Sequence, residues 1–253
     1  NEESVYGVEI EPGQWAMANP RYYVNWRVEV QCNDGEPIVH DFDLIGKDVL
    51  IVIDSKSLGD TLAWTPWAVE FGKAHQCRVT VMTFWNQLFD YPDVEFRELG
   101  PITDKVYYAV YRVGANDANP NANRVDWRTI PLQQIASDFL GLPYQELKPK
   151  LRAFTGRDAL LRELNITSPY ICLSEFSTWE AKFWLRPGGW QQLVDWLKRQ
   201  GYDVVSISDE PTQLAVKRLN RRPIEQVIAV LSGAAAYVGV SSGLWVLAWA
   251  LGV

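Results

Sequence analysis

Short apolar runs alternate with helical patterns from residue 48 onward, and this alternation limits the possible folds more than any other feature of the sequence. The segment "DVLIVID" (48–54) is typical of a buried strand, "GDTLAWTPWAVEFGKAH" (59–75) of a helix, and "CRVTVMT" (77–83) of a second strand. Parallel strands need a long crossover connection, usually a helix. The order strand, helix, strand therefore predicts a parallel sheet and an α/β fold.

The same alternation continues through both halves of the chain. In the first half it predicts a strand at "KVYYAVYRV", a loop over 114–128 and a helix over 131–142. In the second half it predicts strands at "PYICLSEF", "YDVVSIS" and "AYVGV" and helices at "GGWQQLVDWLKRQG", "PIEQVIAVLSGAA" and "SSGLWVLAWALG". Two Rossmann-like halves joined near 143–160 place a ligand cleft between them, outside the carboxyl ends of the strands.

The two ends of the sequence depart from this pattern. In "VNWRVEVQC" (24–32) apolar and polar residues alternate strictly, as in a half-buried strand. "NDG" (33–35) and "PIVHDFDL" follow, so the first 45 residues predict a hairpin in a small antiparallel subdomain. A doubly wound domain normally adds a strand and a helix after "LAWALGV", so we expect the C-terminal domain to be incomplete at Val253.

Charge and residue usage disfavour several classes of function. A net charge of -7 and a pI near 5.0 argue against nucleic acid or anionic membrane as the main partner. Three widely spaced cysteines (Cys32, Cys77, Cys172) predict neither a disulfide framework nor a metal site, and they indicate a reducing cytoplasm. Only two histidines (His40, His75) are present, which poorly supports a Ser-His-Asp or histidine-rich metal site.

Tryptophan is unusually frequent, with 12 residues in the chain. Flat aromatic faces suit both hydrophobic cores and sugar rings, so core packing and carbohydrate stacking are both open. Trp64, Trp179 and Trp184 lie close in sequence to the segments discussed next.

Asp60 lies where a predicted strand passes through a polar turn into a helix. A carboxylate in the first helical turn complements the helix dipole, which is one reason for its presence. The other is catalysis, because an aspartate there is placed to accept a proton from an attacking hydroxyl. Gly59 allows close approach of the backbone and Ser57 precedes it, but position alone does not decide between the two roles.

A small-residue turn in "GVSSGLW" (239–245) links a predicted strand to a predicted helix. Backbone N–H groups of Ser242, Gly243 and Leu244 would point at an anion there, and a diphosphate fits such a site. Ser241 or Ser242 as an ordinary N-cap explains the same residues.

A cationic segment, "STWEAKFWLRPGGW" (177–190), follows another predicted strand. Lys182 or Arg186 is placed to neutralise a departing phosphate. Taken alone, however, this segment is better explained by ordinary surface exposure of the lysine.

Together the segments "SKSLGDTLAWTPWAVEF", "SEFSTWEAKFWLRPGGW" and "GVSSGLWVLAWALGV" resemble the heptosyltransferases of glycosyltransferase family 9. They resemble more closely the bacterial autotransporter heptosyltransferases, which modify serines of surface adhesins. The stretch "NPRYYVNWRVEV" is also similar to that subgroup, which has a small β-barrel domain before its GT-B core. The resemblance implies three domains, at 1–46 (barrel-like), 47–150 (Rossmann-like, acceptor) and 151–253 (Rossmann-like, nucleotide-sugar, truncated).

The resemblance also implies roles for individual residues. Asp60 corresponds to the catalytic base and Lys182 to a lysine that contacts the nucleotide diphosphate. The remaining residues of the implied substrate-binding set are Ser57, Leu58, Gly59, Thr61, Ser241, Ser242, Gly243 and Leu244. Lipopolysaccharide heptosyltransferases usually have Asp-Thr-Gly-Leu-Ser-His at the last turn, where this chain has Ser-Ser-Gly-Leu-Trp-Val, and the difference favours the protein-modifying subgroup.

The implied function is inverting transfer of heptose from ADP-heptose to serine hydroxyls of an autotransporter adhesin by a cytoplasmic homo-oligomer. The alternatives are a lipopolysaccharide-core heptosyltransferase and a non-catalytic module that binds nucleotide-sugar or supports assembly. The subgroup also has a cysteine-rich segment that binds structural iron. These 253 residues contain no such cluster, so no cofactor is expected within them.

Overall fold

The computed structural model describes residues 6–18, 20–32, 35–115, 118–119 and 123–253. Its strands are β1 (Arg27–Val30), β2 (Ile38–Asp41), β3 (Asp48–Ile53), β4 (Arg78–Thr83), β5 (Glu95–Arg97), β6 (Ala109–Arg112), β7 (Tyr170–Ser174), β8 (Asp203–Ser206), β9 (Lys217–Arg218) and β10 (Ala236–Gly239). Its α-helices are α1 (Leu58–Ala74), α2 (Leu132–Phe139), α3 (Arg157–Glu163), α4 (Gly189–Arg199), α5 (Ile224–Leu231) and α6 (Gly243–Leu251). This succession confirms the predicted α/β fold with parallel sheets.

Two four-stranded parallel sheets form the two halves. The first has the order β5-β4-β3-β6 and the second β10-β7-β8-β9. In each sheet the chain moves to one side of its first strand and then returns to the other side, between β3 and β6 and between β7 and β10. Open α/β sheets bind ligands outside the carboxyl ends of the strands at such switch points.

Helix α1 is the central helix of the molecule and is buried over most of its length. It begins where the Ser57 hydroxyl accepts a 3.4 Å hydrogen bond from the backbone N–H of Asp60, and it ends before His75. Trp67 and Phe71 are fully buried, and the Trp64 indole donates a 2.8 Å bond to the Leu132 carbonyl oxygen. These three aromatic side chains fill the core, as the packing interpretation predicts for Trp64, but Trp179 and Trp184 are 70% and 42% exposed, so that interpretation is not confirmed for them.

The two halves of the chain pack against each other through a shared hydrophobic cluster. One core cluster combines Leu62 and Phe89 of the first half with Tyr170, Val205 and Leu247 of the second. The segment that joins the two halves also contacts the first half, because its Leu151 forms an isolated β-bridge with Phe89. This packing fixes the carboxyl edges of the two sheets beside each other.

The N-terminal hairpin is shorter and more exposed than the alternation predicts. Strands β1 and β2 pair antiparallel, as expected, but β1 spans four residues and its Val28 and Val30 are 45% and 46% exposed. The prediction that this strand is half-buried is therefore wrong, because no element among the described residues covers its apolar face. Asn33 and Asp34 of the predicted turn lie outside the described residues.

Three short elements were not predicted. Strands β5 and β9 have three and two residues, and α3 has seven, all too short to give a clear hydrophobic period.

No helix in the part of the chain that the structure describes combines the length and apolar composition needed to cross a membrane.

The amino end of β3 has an ion-pair cluster whose contribution to the stability of the protein depends on pH. Asp48 accepts hydrogen bonds from Arg78, at 2.6 Å to Nη2, and lies 3.0 Å from Lys105 Nζ. The Arg78 hydrogen bond, followed by that of Lys105, lowers the pKa of Asp48 to about 2. A lowered pKa in the folded state stabilises the protein above the unfolded-state pKa of about 4, and this contribution is lost as the pH falls toward 2.

We therefore expect Asp48→Asn to lower the free energy of unfolding at pH 7 by about 1 kcal/mol or less, since the partners are partly exposed. Urea unfolding at several pH values should show the difference between variant and wild type shrinking from pH 5 to pH 2. A difference that is constant over this range would contradict the assignment.

Candidate functional site

The carboxylate of Asp60 lies in the first turn of α1, directly beyond the carboxyl end of β3. Its side chain is half-buried, and its Oδ2 accepts a 2.6 Å hydrogen bond from the Ser55 hydroxyl. Ser55 in turn accepts a 3.1 Å bond from the backbone N–H of Ser57. The carboxylate is thus held through one oxygen, and the other has no partner among the described residues, so it is free to accept a proton.

The turn before α6 leaves backbone N–H groups without partners. Ser242 has an extended backbone, with φ -153° and ψ 177°, and its hydroxyl makes no capping hydrogen bond to the helix. Ser242 therefore occupies the predicted N-cap position of α6, but its hydroxyl does not cap the helix. Among the described residues the amides of Gly243 and Leu244 find no acceptor, and they face outward from the positive end of the helix dipole. Such a helix start is suited to bind an anion.

Helices α1 and α6 approach each other closely at their amino ends, and this contact brings Asp60 and the Ser-Ser-Gly turn to one place. A Cβ added at Gly243 would lie 3.1 Å from Leu58 Cβ and 3.2 Å from the Gly59 backbone nitrogen. A Cβ added at Gly59 would lie 3.3 Å from Val246 Cγ2. Only glycine at both positions allows this separation without movement. The amino ends of the two helices, which carry the positive ends of their dipoles, therefore meet at one place.

The segment that contains Lys182 is attached to the same turn through Ser177. The Ser177 hydroxyl donates a 2.9 Å bond to the Ser241 carbonyl oxygen, while Lys182 ends a short 3₁₀ turn, Glu180–Lys182. Both Lys182 and Arg186 are exposed, and neither side chain has an ion-pair partner in the described ranges. The structure thus brings the segment to the cleft but shows no contact of the Lys182 ammonium with Asp60 or with the turn.

The other predicted binding residues differ in accessibility. Ser57 and Ser241 are exposed, whereas Leu58 packs against the core cluster that the two halves share. Thr61 is fully buried, and its hydroxyl oxygen lies 3.4 Å from that of Thr83. The side chains of Leu58 and Thr61 pack inside the protein. Their positions therefore favour a structural role over the predicted role in substrate binding.

Ser55 and Ser177 are the site residues that the sequence interpretation missed. Each lies in a polar turn between a strand and a helix, close to residues that were singled out. Serine is common in such turns, so only the hydrogen bonds of the folded chain distinguish these two from their neighbours.

The described residues do not fit a metal site. They include no group of three or more histidine, cysteine, aspartate or glutamate side chains that could hold an ion. Burial raises the pKa of the Cys77 thiol to about 11 and that of Cys172 to about 12, so both stay protonated at neutral pH. Protonated thiols are poor metal ligands, and the expected absence of a metal cluster within this part of the chain remains an expectation.

The contact between the two helix ends leads to a prediction for Gly243→Val. The branched side chain would separate α6 from Leu58 and Gly59, so we expect a loss of about 1–3 kcal/mol in unfolding free energy and weaker binding of inorganic pyrophosphate at the helix start. Gly100→Val is the matched control, because a Cβ there has nothing within 4 Å. Thermal unfolding and pyrophosphate titration measure the two effects. Equal stability and equal pyrophosphate affinity of Gly243→Val and the control would show that the close approach is unimportant.

Comparison with known proteins gives one family and several relatives. The profile of a family described as "Glycosyltransferase family 9 (heptosyltransferase)" matches residues 115–253. The autotransporter heptosyltransferase Aah of Escherichia coli is 31% identical over 93% of this chain and 63% of its own length. BimC of Burkholderia thailandensis, described as an inactive autotransporter heptosyltransferase, is 28% identical over 92% of this chain and 57% of its own.

Solved structures of TibC from enterotoxigenic E. coli H10407 are also similar. The structure described as a bacterial iron-containing dodecameric glycosyltransferase has a TM-score of 0.83 at 27% identity and covers 94% of this chain and 65% of its own. The structure of TibC in complex with ADP-D-β-D-heptose gives a TM-score of 0.84 at 26% identity, and the match covers 95% of this chain and 66% of the TibC chain. The chain spans roughly three fifths of the length of the curated relatives that it matches.

Proposed function

Because the chain belongs to glycosyltransferase family 9, the heptosyltransferases, we propose that it transfers heptose from ADP-heptose to serine hydroxyls of an autotransporter adhesin with inversion at the anomeric carbon. The observation that supports this proposal most strongly is the contact of Gly59 with the start of α6, because it brings the first turn of α1, which contains Asp60, close to a helix start that is suited to bind an anion. A base and a diphosphate site in one cleft are what glycosyl transfer from a nucleotide-sugar needs.

The transfer step follows from this arrangement. Asp60 accepts the proton of the serine hydroxyl as its oxygen attacks the anomeric carbon of the heptose. The new bond joins the serine oxygen to that carbon, and the bond from the carbon to the diphosphate oxygen breaks. The electron pair of that bond leaves with ADP. Ser55 is a positioning residue that fixes one oxygen of Asp60 and leaves the other for the proton.

Negative charge grows on the departing diphosphate in the transition state, so groups that stabilise it accelerate the reaction. The free N–H groups of Gly243 and Leu244 supply one such group. Lys182 is proposed as the second, because Ser177 attaches its segment to the turn that holds the phosphates. The ammonium of Lys182 is exposed and has no ion-pair partner among the described residues, so it is available to a bound nucleotide.

The donor and acceptor are proposed from the relatives. TibC binds ADP-D-β-D-heptose by its description, and the names of Aah and TibC associate them with autotransporters. We place the protein in the cytoplasm, which the three unpaired cysteines favour. The domain limits 1–46, 47–150 and 151–253 and a barrel-like first domain are likewise proposals.

Homo-oligomerisation is also proposed from the relatives, because TibC is described as a dodecamer. TibC is also described as containing iron. The described residues of this chain include no group of three or more histidine, cysteine, aspartate or glutamate side chains that could hold iron.

A non-catalytic role is the second candidate, and BimC supports it, since this relative is described as inactive. Both candidates predict binding of ADP-heptose, and they differ in turnover.

Incubation of the protein with ADP-D-β-D-heptose and a serine-containing passenger fragment, followed by ¹H NMR of the product, tests the stereochemistry. An α-linked heptose is expected, and a β-linked product would contradict inversion. Donor binding without any product would favour the non-catalytic role.

A further inference from the structure

A cavity of about 360 Å³ lies at the carboxyl edge of the first sheet, and the proposed mechanism does not use it. Its lining residues are Thr83, Phe84, Asn86, Gln87, Glu98 and Leu99. They lie at or just beyond the ends of β4 and β5, on the same edge as the loop that follows β3. The volume is within the range of specific ligand sites in proteins.

The cavity lies beside the loop that leads to the proposed base. Thr83, which lines it, is opposite Ile53 in the pairing of β4 with β3, so about 5 Å separates the cavity edge from the start of the loop toward Asp60. The Trp85 indole also donates a 3.3 Å bond to the Lys56 carbonyl oxygen. The loop that forms the cavity and the loop that precedes Asp60 are therefore joined directly.

Three of the four polar side chains that line the cavity have no protein partner among the described residues, whereas the Thr83 hydroxyl contacts the Thr61 hydroxyl and accepts a bond from the backbone N–H of Trp85. The amides of Asn86 and Gln87 and the carboxylate of Glu98 make no hydrogen bond or ion pair with any described residue. An amide side chain has both donors and an acceptor, as a peptide backbone does, whereas a carboxylate only accepts. Phe84, which is 47% exposed, adds an apolar surface. Together these groups are suited to a polypeptide segment with hydroxyl or cationic side chains.

We propose that this cavity binds the acceptor polypeptide beside the serine that is modified, an inference that rests on the proposed function. Asn86 and Gln87 pair with the peptide backbone, and Glu98 selects against acidic neighbours of the serine. The six lining residues include no lysine or arginine, so they offer no counter-ion to the anionic groups of a lipopolysaccharide acceptor. The cavity thereby makes the enzyme specific for a protein acceptor.

The experiment combines transfer and binding. Fluorescein-labelled serine peptides, one with lysine neighbours and one with glutamate neighbours, are titrated by anisotropy without donor and then assayed for transfer with ADP-heptose. We expect Asn86→Ala combined with Gln87→Ala to weaken binding of the lysine peptide and raise its KM about tenfold, as loss of two hydrogen bonds predicts, with the KM for ADP-heptose unchanged. Gln200→Ala is the matched control, because Gln200 is an exposed amide at the C-terminus of α4.

A charge reversal gives a second readout. The wild type should prefer the lysine peptide and Glu98→Lys the glutamate peptide, while Glu36→Lys, an exposed control with the same change in charge, should keep the wild-type preference. No peptide binding by the wild type, unchanged peptide binding in the double variant, or a raised donor KM alone would overturn the inference. Cavity-dependent peptide binding without transfer would support the cavity while contradicting the proposed function.

Discussion

Asp60→Asn should lower the rate of heptose transfer by about 10²–10⁴-fold and leave binding of ADP-heptose within a few-fold of wild type. The expected loss is that of a general base, because asparagine keeps the size of the side chain but cannot accept the serine proton. Steady-state kinetics with saturating donor and acceptor measure the rate, and titration calorimetry measures donor binding.

The helix-dipole explanation for Asp60 is separated from catalysis by a matched variant. Asp158 also lies in the first turn of a helix, α3, and it is largely exposed. Asp158→Asn should lower the free energy of unfolding by about 1 kcal/mol or less, which is the usual effect of removing an exposed aspartate from a first helical turn. It should not change the rate of heptose transfer. If Asp60→Asn loses stability by a similar amount and keeps its transfer rate, Asp60 is only a helix-start residue.

Lys182→Ala should lower the transfer rate by about 10²–10³-fold, since removal of one preorganised group that stabilises developing charge costs about this much. It should also weaken binding of ADP. Lys182→Arg keeps the positive charge and should recover part of the rate, whereas Lys150→Ala, which removes an exposed lysine of the joining segment, should have no effect. The readouts are the transfer rate and the Kd for ADP.

The exposed position of Lys182 makes this a demanding test of the proposal. A wild-type rate and a wild-type ADP affinity for Lys182→Ala would mean that the lysine is an ordinary surface residue. The helix ends at Gly243 and Leu244 would then be the main positive groups at the diphosphate.

Most of the fold was predictable, because long apolar strands and strongly periodic helices give clear patterns. The β3–α1–β4 unit and helix α4 occur where the alternation and the i, i+3, i+4 spacing predict them. The hairpin strand β1 shows the limit of this reasoning, since strict alternation indicates one apolar face but not whether anything covers it.

The candidate site was predictable only in part. Asp60 and the Ser-Ser-Gly turn were identifiable from their strand-turn-helix settings, but their proximity depends on the packing of α1 against α6 between distant parts of the chain. The buried position of Thr61 beside Thr83 depends on the same kind of long-range packing. Ser55 and Ser177 act through hydrogen bonds that no local pattern specifies.

The most direct test of the account is intact-mass spectrometry of an autotransporter passenger fragment incubated with ADP-heptose and either the wild type or Asp60→Asn. We predict mass increments of one heptose each with the wild type, located on serines by fragmentation, and at most about a hundredth of that extent with the variant over the same time. An unmodified fragment under conditions in which ADP-heptose is bound would contradict the assignment of this chain as a protein heptosyltransferase.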